Sequence, residues 1–229
     1  MAIVPLGHPS AVEPASEAER EATTRIDALQ AAAQKAEVDF DVRVRHAEEP
    51  WKEIVAEARE RNADLIVCRR YGRLGFLASM LVGEMVTNVV SHAPCNVLMV
   101  PRGGEMWRRR ILLASDGSPD AERAAVVAAE VAKTYGIPVT IVVVSAEGID
   151  ARRCVEAAAG IVRSAGIEAD VRMASGRPSD AIVAVARESR ADLVVVGRRS
   201  RDGTDTPRLG RNAERIIGTV ECPVLIVVR

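Results

Sequence analysis

Two textures alternate along this chain. Compact runs of Val, Ile and Leu, such as Val139–Val144, suit strands buried on both faces, and Ala-rich stretches between them suit helices lying on a sheet. From residue 109 the alternation predicts strand 109–115, a helix opened by Ser118 or Pro119 that runs to about Tyr135, and strand 139–144. A helix from about Asp150 to Ala165, closed by Gly166, follows; then come strand 168–173, helix 178–189 and strand 192–196. A glycine-containing loop, helix 210–219 and strand 223–228 complete the series. This order predicts an α/β fold, a doubly wound parallel five-stranded sheet with helices on both faces and strand order 3-2-1-4-5.

The earlier part of the chain is a shortened copy of the later part. Asn62-Ala63-Asp64-Leu65-Ile66-Val67 matches Arg190-Ala191-Asp192-Leu193-Val194-Val195, and the helix begun at Pro50 matches the helix begun at Pro178 at the same offset. Ala93-Pro94-Cys95-Asn96-Val97-Leu98-Met99-Val100 matches Val220-Glu221-Cys222-Pro223-Val224-Leu225-Ile226-Val227 with the offset changed by one residue. Ordered landmarks at a nearly constant offset mark an internal repeat. In this first copy the pattern predicts a strand over Met1–Leu6, a helix over about Glu13–Ala36, strand 38–45, helix 50–61, strand 64–68, helix 83–92 and strand 97–100. The counterparts of the first strand and first helix are missing. Either the Ala2–Leu6 strand shifts over to fill the gap, or a start codon lies upstream. The expected domains are a shortened one at 1–102, a linker at 103–108 around Gly103-Gly104, and a complete one at 109–229.

Composition narrows the function. Hydrophobic residues make up 48% of the chain but aromatic ones only 3%, so the core must be aliphatic, which fits parallel strands and Ala-rich helices better than a β-sandwich. A net charge of −1 gives no overall pull toward nucleic acid or an anionic membrane. No apolar stretch is long enough to span a bilayer, and residues 1–10 have no secretory-signal pattern. Cys68, Cys95, Cys154 and Cys222 lie scattered in apolar runs with no C-x-x-C pair, so they read as reduced core residues of a cytoplasmic protein. His8, His46 and His92 are dispersed, and no spacing suggests a metal site or a catalytic triad.

Ligands of open parallel sheets sit beyond the carboxyl ends of the strands. There the complete copy carries Asp116, directly after its first strand, Gly197 after its fourth, and Gly210 opening its last helix. Ile111-Leu112-Leu113-Ala114-Ser115-Asp116-Gly117-Ser118 resembles the opening of a universal stress protein domain. Gly176-Arg177-Pro178-Ser179-Asp180-Ala181-Ile182 resembles that family's turn into its third helix, and Ala191–Gly197 and Cys222–Val227 resemble its last two strands. In the first copy Ala93–Val100 is similar to the same final strand.

The resemblance implies an adenine-nucleotide α-hydrolase-like fold. It also implies, for nucleotide-binding members, a G-x2-G-x9-G-[ST] loop whose backbone amides and hydroxyl hold phosphate. Here the complete copy keeps Gly197 and Gly210 at the right spacing, with Ser200 for the middle glycine and Arg211 for the hydroxyl residue. Ala114, Asp116 and Val144 match the positions that hold adenine and ribose. Arg211 either pairs with a phosphate or fills its space. In the first copy Arg69 replaces the first glycine, Gly72 matches the middle one, the spacing to Gly83 is one residue longer, and Glu84 replaces the hydroxyl, where a carboxylate repels phosphate. That copy is expected to bind no nucleotide.

The resemblance thus implies a cytoplasmic stress-response protein that acts by binding and signalling and is not an enzyme, with ATP as the candidate cofactor of the complete copy only. Two other readings stay open: a regulatory module that binds a protein partner without nucleotide, and an ATP hydrolase-like enzyme. Asp116 has a structural alternative as the N-cap of its helix, and Arg198-Arg199-Ser200-Arg201 reads as solvated surface. Arg108-Arg109-Arg110 reads as the edge of the linker, not as a nucleic-acid patch. The apolar stretch 74–82 reads as a lid on its own domain or a surface for a partner. Members of that family dimerise through their final strands, so the resemblance implies that the halves meet at the edge strands Val97–Val100 and Val224–Val228, with a homodimer or a protein partner beyond that.

Overall fold

The structure is a computed structural model that describes residues 17–45, 47–70, 83–101, 103–145, 150–199 and 209–228. The chain divides into two compact units, residues 1–57 and 58–229.

The first unit contains helix α1 (Glu17–Lys35) and most of helix α2 (Pro50–Glu60). Helix α1 ends where Glu37 adopts a left-handed φ of 54°, and Val38 donates back to the Ala33 carbonyl. The expected strand 38–45 is not a strand. Its Val/Asp/Arg alternation has the right period, but no described residue provides the ladder that its amides and carbonyls need. Val38 and Val44 are exposed. The basic residues turn to α2 instead: Arg45 pairs with Glu53 at 2.8 Å and with Glu57, and Arg43 reaches Glu57 at 3.5 Å. The expected strand at Met1–Leu6 lies outside the described residues.

The second unit is built on one seven-stranded sheet. Its elements are β1 (Leu65–Arg69), α3 (Glu84–His92), β2 (Asn96–Val100), β3 (Ile111–Ser115), α4 (Pro119–Tyr135), β4 (Val139–Ser145) and α5 (Ala151–Ser164). They continue with β5 (Ala169–Ser175), α6 (Pro178–Glu188), β6 (Leu193–Gly197), α7 (Arg211–Thr219) and β7 (Val224–Val227). The strand order is β1-β2-β7-β6-β3-β4-β5. The run β5-β4-β3-β6-β7 is parallel throughout and reproduces the expected 3-2-1-4-5 order. Helices α4 and α5 pack on one another, as do α6 and α7, which covers the two faces.

The middle positions of the central strands β3 and β6 are apolar because both faces are covered. Ile111, Leu112 and Leu113 have no exposed surface, nor do Leu193, Val194 and Val195. Helix α4 lays Ala121, Ala124, Ala125, Ala128, Ala129 and Ala132 on the sheet, and small side chains let its backbone come close. Ser118 caps it by accepting from the Ala121 amide at 3.2 Å, and Gly136, at φ 64°, closes it.

The two halves meet at their final strands, as expected, and here the sheet turns antiparallel: Val97 faces Ile226, Leu98 faces Leu225 and Met99 faces Val224. Leu98 and Leu225 are equivalent positions of the repeat. A pseudo-twofold axis therefore passes through that pair, as in an isologous dimer interface. Arginines extend the symmetry. The Arg70 amide donates to the Val100 carbonyl at 2.7 Å, and the Arg198 amide to Val227 at 3.0 Å. From these matched positions Arg70 reaches the carbonyls of Ile217 and Val220, and Arg198 reaches the carbonyl of Ser91 at 3.2 Å. Each half thus caps the carbonyl end of the other's last helix. Burial holds both guanidinium groups below the usual arginine range.

Candidate functional site

Strands β3 and β6 are neighbours, and the connection from β3 leads to β4 on one side while the connection from β6 leads to β7 on the other. This is the switch point where such folds hold ligands. Ala114 lies at that end, paired in register with Val142, and Val144 lies at the matching end of β4, paired with Ala174. Asp116 follows β3 directly. Its Oδ1 accepts from the Ser118 amide at 3.0 Å, and Gly117 between them takes φ 71°. Asp116 is thus the hinge of the turn into α4 and not its N-cap, a role that Ser118 takes.

On the other side of β3, Gly197 ends β6. A methyl group on it would sit 2.8 Å from the backbone carbonyl carbon of Asp120, so only glycine lets α4 approach this closely. Gly210 comes back to the same place: its amide donates to the Arg198 carbonyl at 3.1 Å. Ala114, Asp116, Val144, Gly197, Gly210 and Arg211 therefore gather at one end of the sheet, while Ser200 lies outside the described residues. Helix α7 opens there with Gly210 as N-cap and no side-chain cap, and Arg211, its first residue, is exposed.

Sequence reasoning missed Asp120. Its carboxylate is buried in the first turn of α4, pairs with Arg123, and accepts from the Arg199 amide at 3.1 Å and the Arg199 Nε at 3.4 Å. The Nε atoms of Arg123 and Arg198 are buried without a hydrogen-bond partner. The expectation that Arg198 and Arg199 form solvated surface is therefore corrected: one crosses to Ser91 and the other braces Asp120. The acidic residue two positions past the Ser118 cap was the available signal for Asp120; no local pattern marks the Arg198–Ser91 contact.

At the opposite end of the sheet Asp192 performs a different task. Its carboxylate accepts from the amides of Arg108, Arg109 and Arg110 at 2.7, 2.9 and 2.9 Å. Burial raises its pKa, but these amides win and hold it below the usual carboxylate range. The three arginines are thus a strand entry clamped by one carboxylate. A cavity of about 260 Å³ beside Asp192, Arg187, Arg190 and Cys222 takes in none of the expected site residues.

The first half presents a contrast. Helix α3 opens with Gly83 and Glu84, β1 ends with Arg69, and no described residue supplies the counterpart of β3 or of Asp116. The apolar stretch 74–82, Gly72 and residues 201–208 lie outside the described residues. Among the described residues no cluster of three or more His, Cys, Asp or Glu is placed to hold a metal ion, and no helix is long and apolar enough to cross a membrane.

The family model described as the universal stress protein family matches this chain twice, over residues 3–101 and 108–228. A universal stress protein of Methanocaldococcus jannaschii is 31% identical over 145 residues, which are 55% of this chain and 85% of that protein. The solved universal stress protein from Archaeoglobus fulgidus DSM 4304 shares the fold with a TM-score of 0.71 at 24% identity, over 99% of this chain and 85% of its own. A universal stress protein solved in complex with cAMP aligns at 25% identity and a TM-score of 0.47, over 54% of this chain and 98% of its own.

Proposed function

The chain belongs to the universal stress protein family, as two copies in tandem, and from that premise we propose that its complete half binds an adenine nucleotide, ATP in the first instance, and acts by binding and release, not by turnover. Asp116 would hold the ribose, Ala114 and Val144 would flank the base, and Gly197, Ser200, Gly210 and Arg211 would surround the phosphates.

The observation that carries this reading is the start of α7. A helix N-terminus bears partial positive charge and welcomes anions; a cation there costs about 0.3–1 kcal/mol. Yet α7 begins with an uncapped glycine followed by an exposed arginine. A bound phosphate would remove the conflict, accepting from the helix amides and from the guanidinium together. On this reading arginine charge stands in for the hydroxyl of the family's loop.

Titration of the purified chain with a fluorescent ATP analogue tests it. Saturable binding in the micromolar range is expected, weakened at least tenfold in Asp116→Ala, since hydrogen bonds to a charged group contribute about 1.5–3 kcal/mol. Absence of saturation at millimolar ATP would sink the reading and favour the module that binds only a protein partner. Turnover abolished by the same substitution would favour the enzyme.

A further inference from the structure

The residues at both ends of the connection after β6 are held by one residue of the other half, through its hydroxyl and its carbonyl. Ser91, in the last turn of α3 and 4% exposed, accepts from the buried Leu209 amide through its Oγ at 3.1 Å. Its carbonyl accepts from Arg198 Nη1 at 3.2 Å. Arg198 follows Gly197, Leu209 precedes Gly210, and the Arg198 carbonyl accepts from the Gly210 amide at 3.1 Å. Gly210 is thus joined to the residue that follows Gly197, and both glycines are tied through their neighbours to Ser91.

We infer that Ser91 is a positioning residue: the first half fixes Arg198 and Leu209, the residues that flank the two candidate phosphate glycines of the second half. The tether itself stands on the hydrogen bonds above, and its functional consequence rests on the nucleotide reading. Backbone amides serve a phosphate only when their spacing is fixed before binding, because ordering the loop at binding subtracts from affinity. A tie at Leu209 fixes the residue from which α7 departs. The mirror contact, Arg70 to the carbonyl end of α7, holds the other end of the same helix.

Two measurements on Ser91→Ala and Ser91→Thr in the full chain test the inference. The first is amide hydrogen exchange at Leu209 without nucleotide. The second is affinity for the fluorescent ATP analogue. Leu209 is expected to exchange at least tenfold faster in Ser91→Ala, with affinity lowered three- to tenfold, and both are expected to return in Ser91→Thr, which restores the hydroxyl. A general packing defect would not be rescued by the larger threonine. Unchanged Leu209 exchange in Ser91→Ala overturns the inference, even if the wild-type chain binds ATP. Faster exchange that threonine corrects, in a chain that binds no ATP, upholds the positioning role and removes only the nucleotide reading. Binding that is intact and insensitive to Ser91→Ala overturns the functional role.

Discussion

Arg69 and Gly197 end equivalent strands of the two halves, yet one is a long cation and the other has no side chain. What differs is the neighbour. Gly197 lies against the backbone of Asp120 on α4, where a single added carbon would collide at 2.8 Å. Arg69 belongs to the half in which no described residue provides that helix, so nothing there demands glycine. Asp64 and Asp192 make the same point at the other end of the strands. Asp192 clamps the three amides that lead into β3, whereas Asp64, its repeat equivalent, is exposed. Where no missing partner is involved, the halves still agree in detail. Asn62 and Arg190 both take a left-handed φ, 48° and 54°, after helices of matching sequence. The Ala63 and Ala191 amides then reach back to Ala58 and Ala186 at the same 2.9 Å. Divergence between the halves is concentrated where no described residue of the first half supplies the counterpart of β3 and α4.

The comparison breaks most visibly at the glycine. Gly197→Val is expected to destabilise the chain by about 3 kcal/mol through overpacking against a helix backbone, while Arg69→Gly costs under about 1 kcal/mol. Thermal melting reads the difference as roughly 6–12 °C against a few degrees. Next comes the clamp. Asp192→Ala leaves three amides without their acceptor and is expected to cost about 2 kcal/mol, against less than about 0.5 for Asp64→Ala, by urea unfolding. Asp192 titrates below its unfolded value of about 3.9. Its contribution is therefore complete above that pH and is lost as pH falls through the lower folded value. The acid limb of a stability–pH curve should flatten in Asp192→Ala.

A subtler contrast separates the helix starts, Glu84 in the first half and Arg211 in the second. Arg211→Glu should weaken ATP at least tenfold yet stabilise the ligand-free chain by about 0.5 kcal/mol, because a carboxylate suits a helix N-terminus. Opposite signs in binding and melting are the signature sought; a loss of both would make Arg211 a packing residue. The smallest difference concerns the thiols. Burial pushes Cys68 and Cys222 up to about 11, so neither is expected to react with iodoacetamide at pH 7.5 before unfolding, whichever half it belongs to. Peptide mapping after alkylation checks this.

The central sheet was legible in the sequence because its strands, buried on both faces, leave unbroken runs such as Val139–Val144 between Ala-rich helices. The junction was legible because repeat and edge position agree at Leu98 and Leu225. Strand 38–45 was not, since alternation specifies a face but not a partner to bond with. At the candidate site, Gly197 and Asp116 were legible because their types are dictated by local backbone demands. Asp120, Ser91 and the paths of Arg198 and Arg199 were hidden. Each acts through a contact made across the fold, and a buried serine in a helix has the same local pattern whether or not an amide finds it.

The Leu98–Leu225 pair also changes what kind of object this chain is in solution. Two separate subunits that met through this ladder and its arginine ties would associate only in proportion to their concentration. Here the short stretch between Val100 and Ile111 makes the encounter unimolecular, at an effective concentration in the millimolar range. The partner is always present, always in a one-to-one ratio, and of fixed identity. On the reading proposed above, one half can then change at its own site without dissolving its contact with the other.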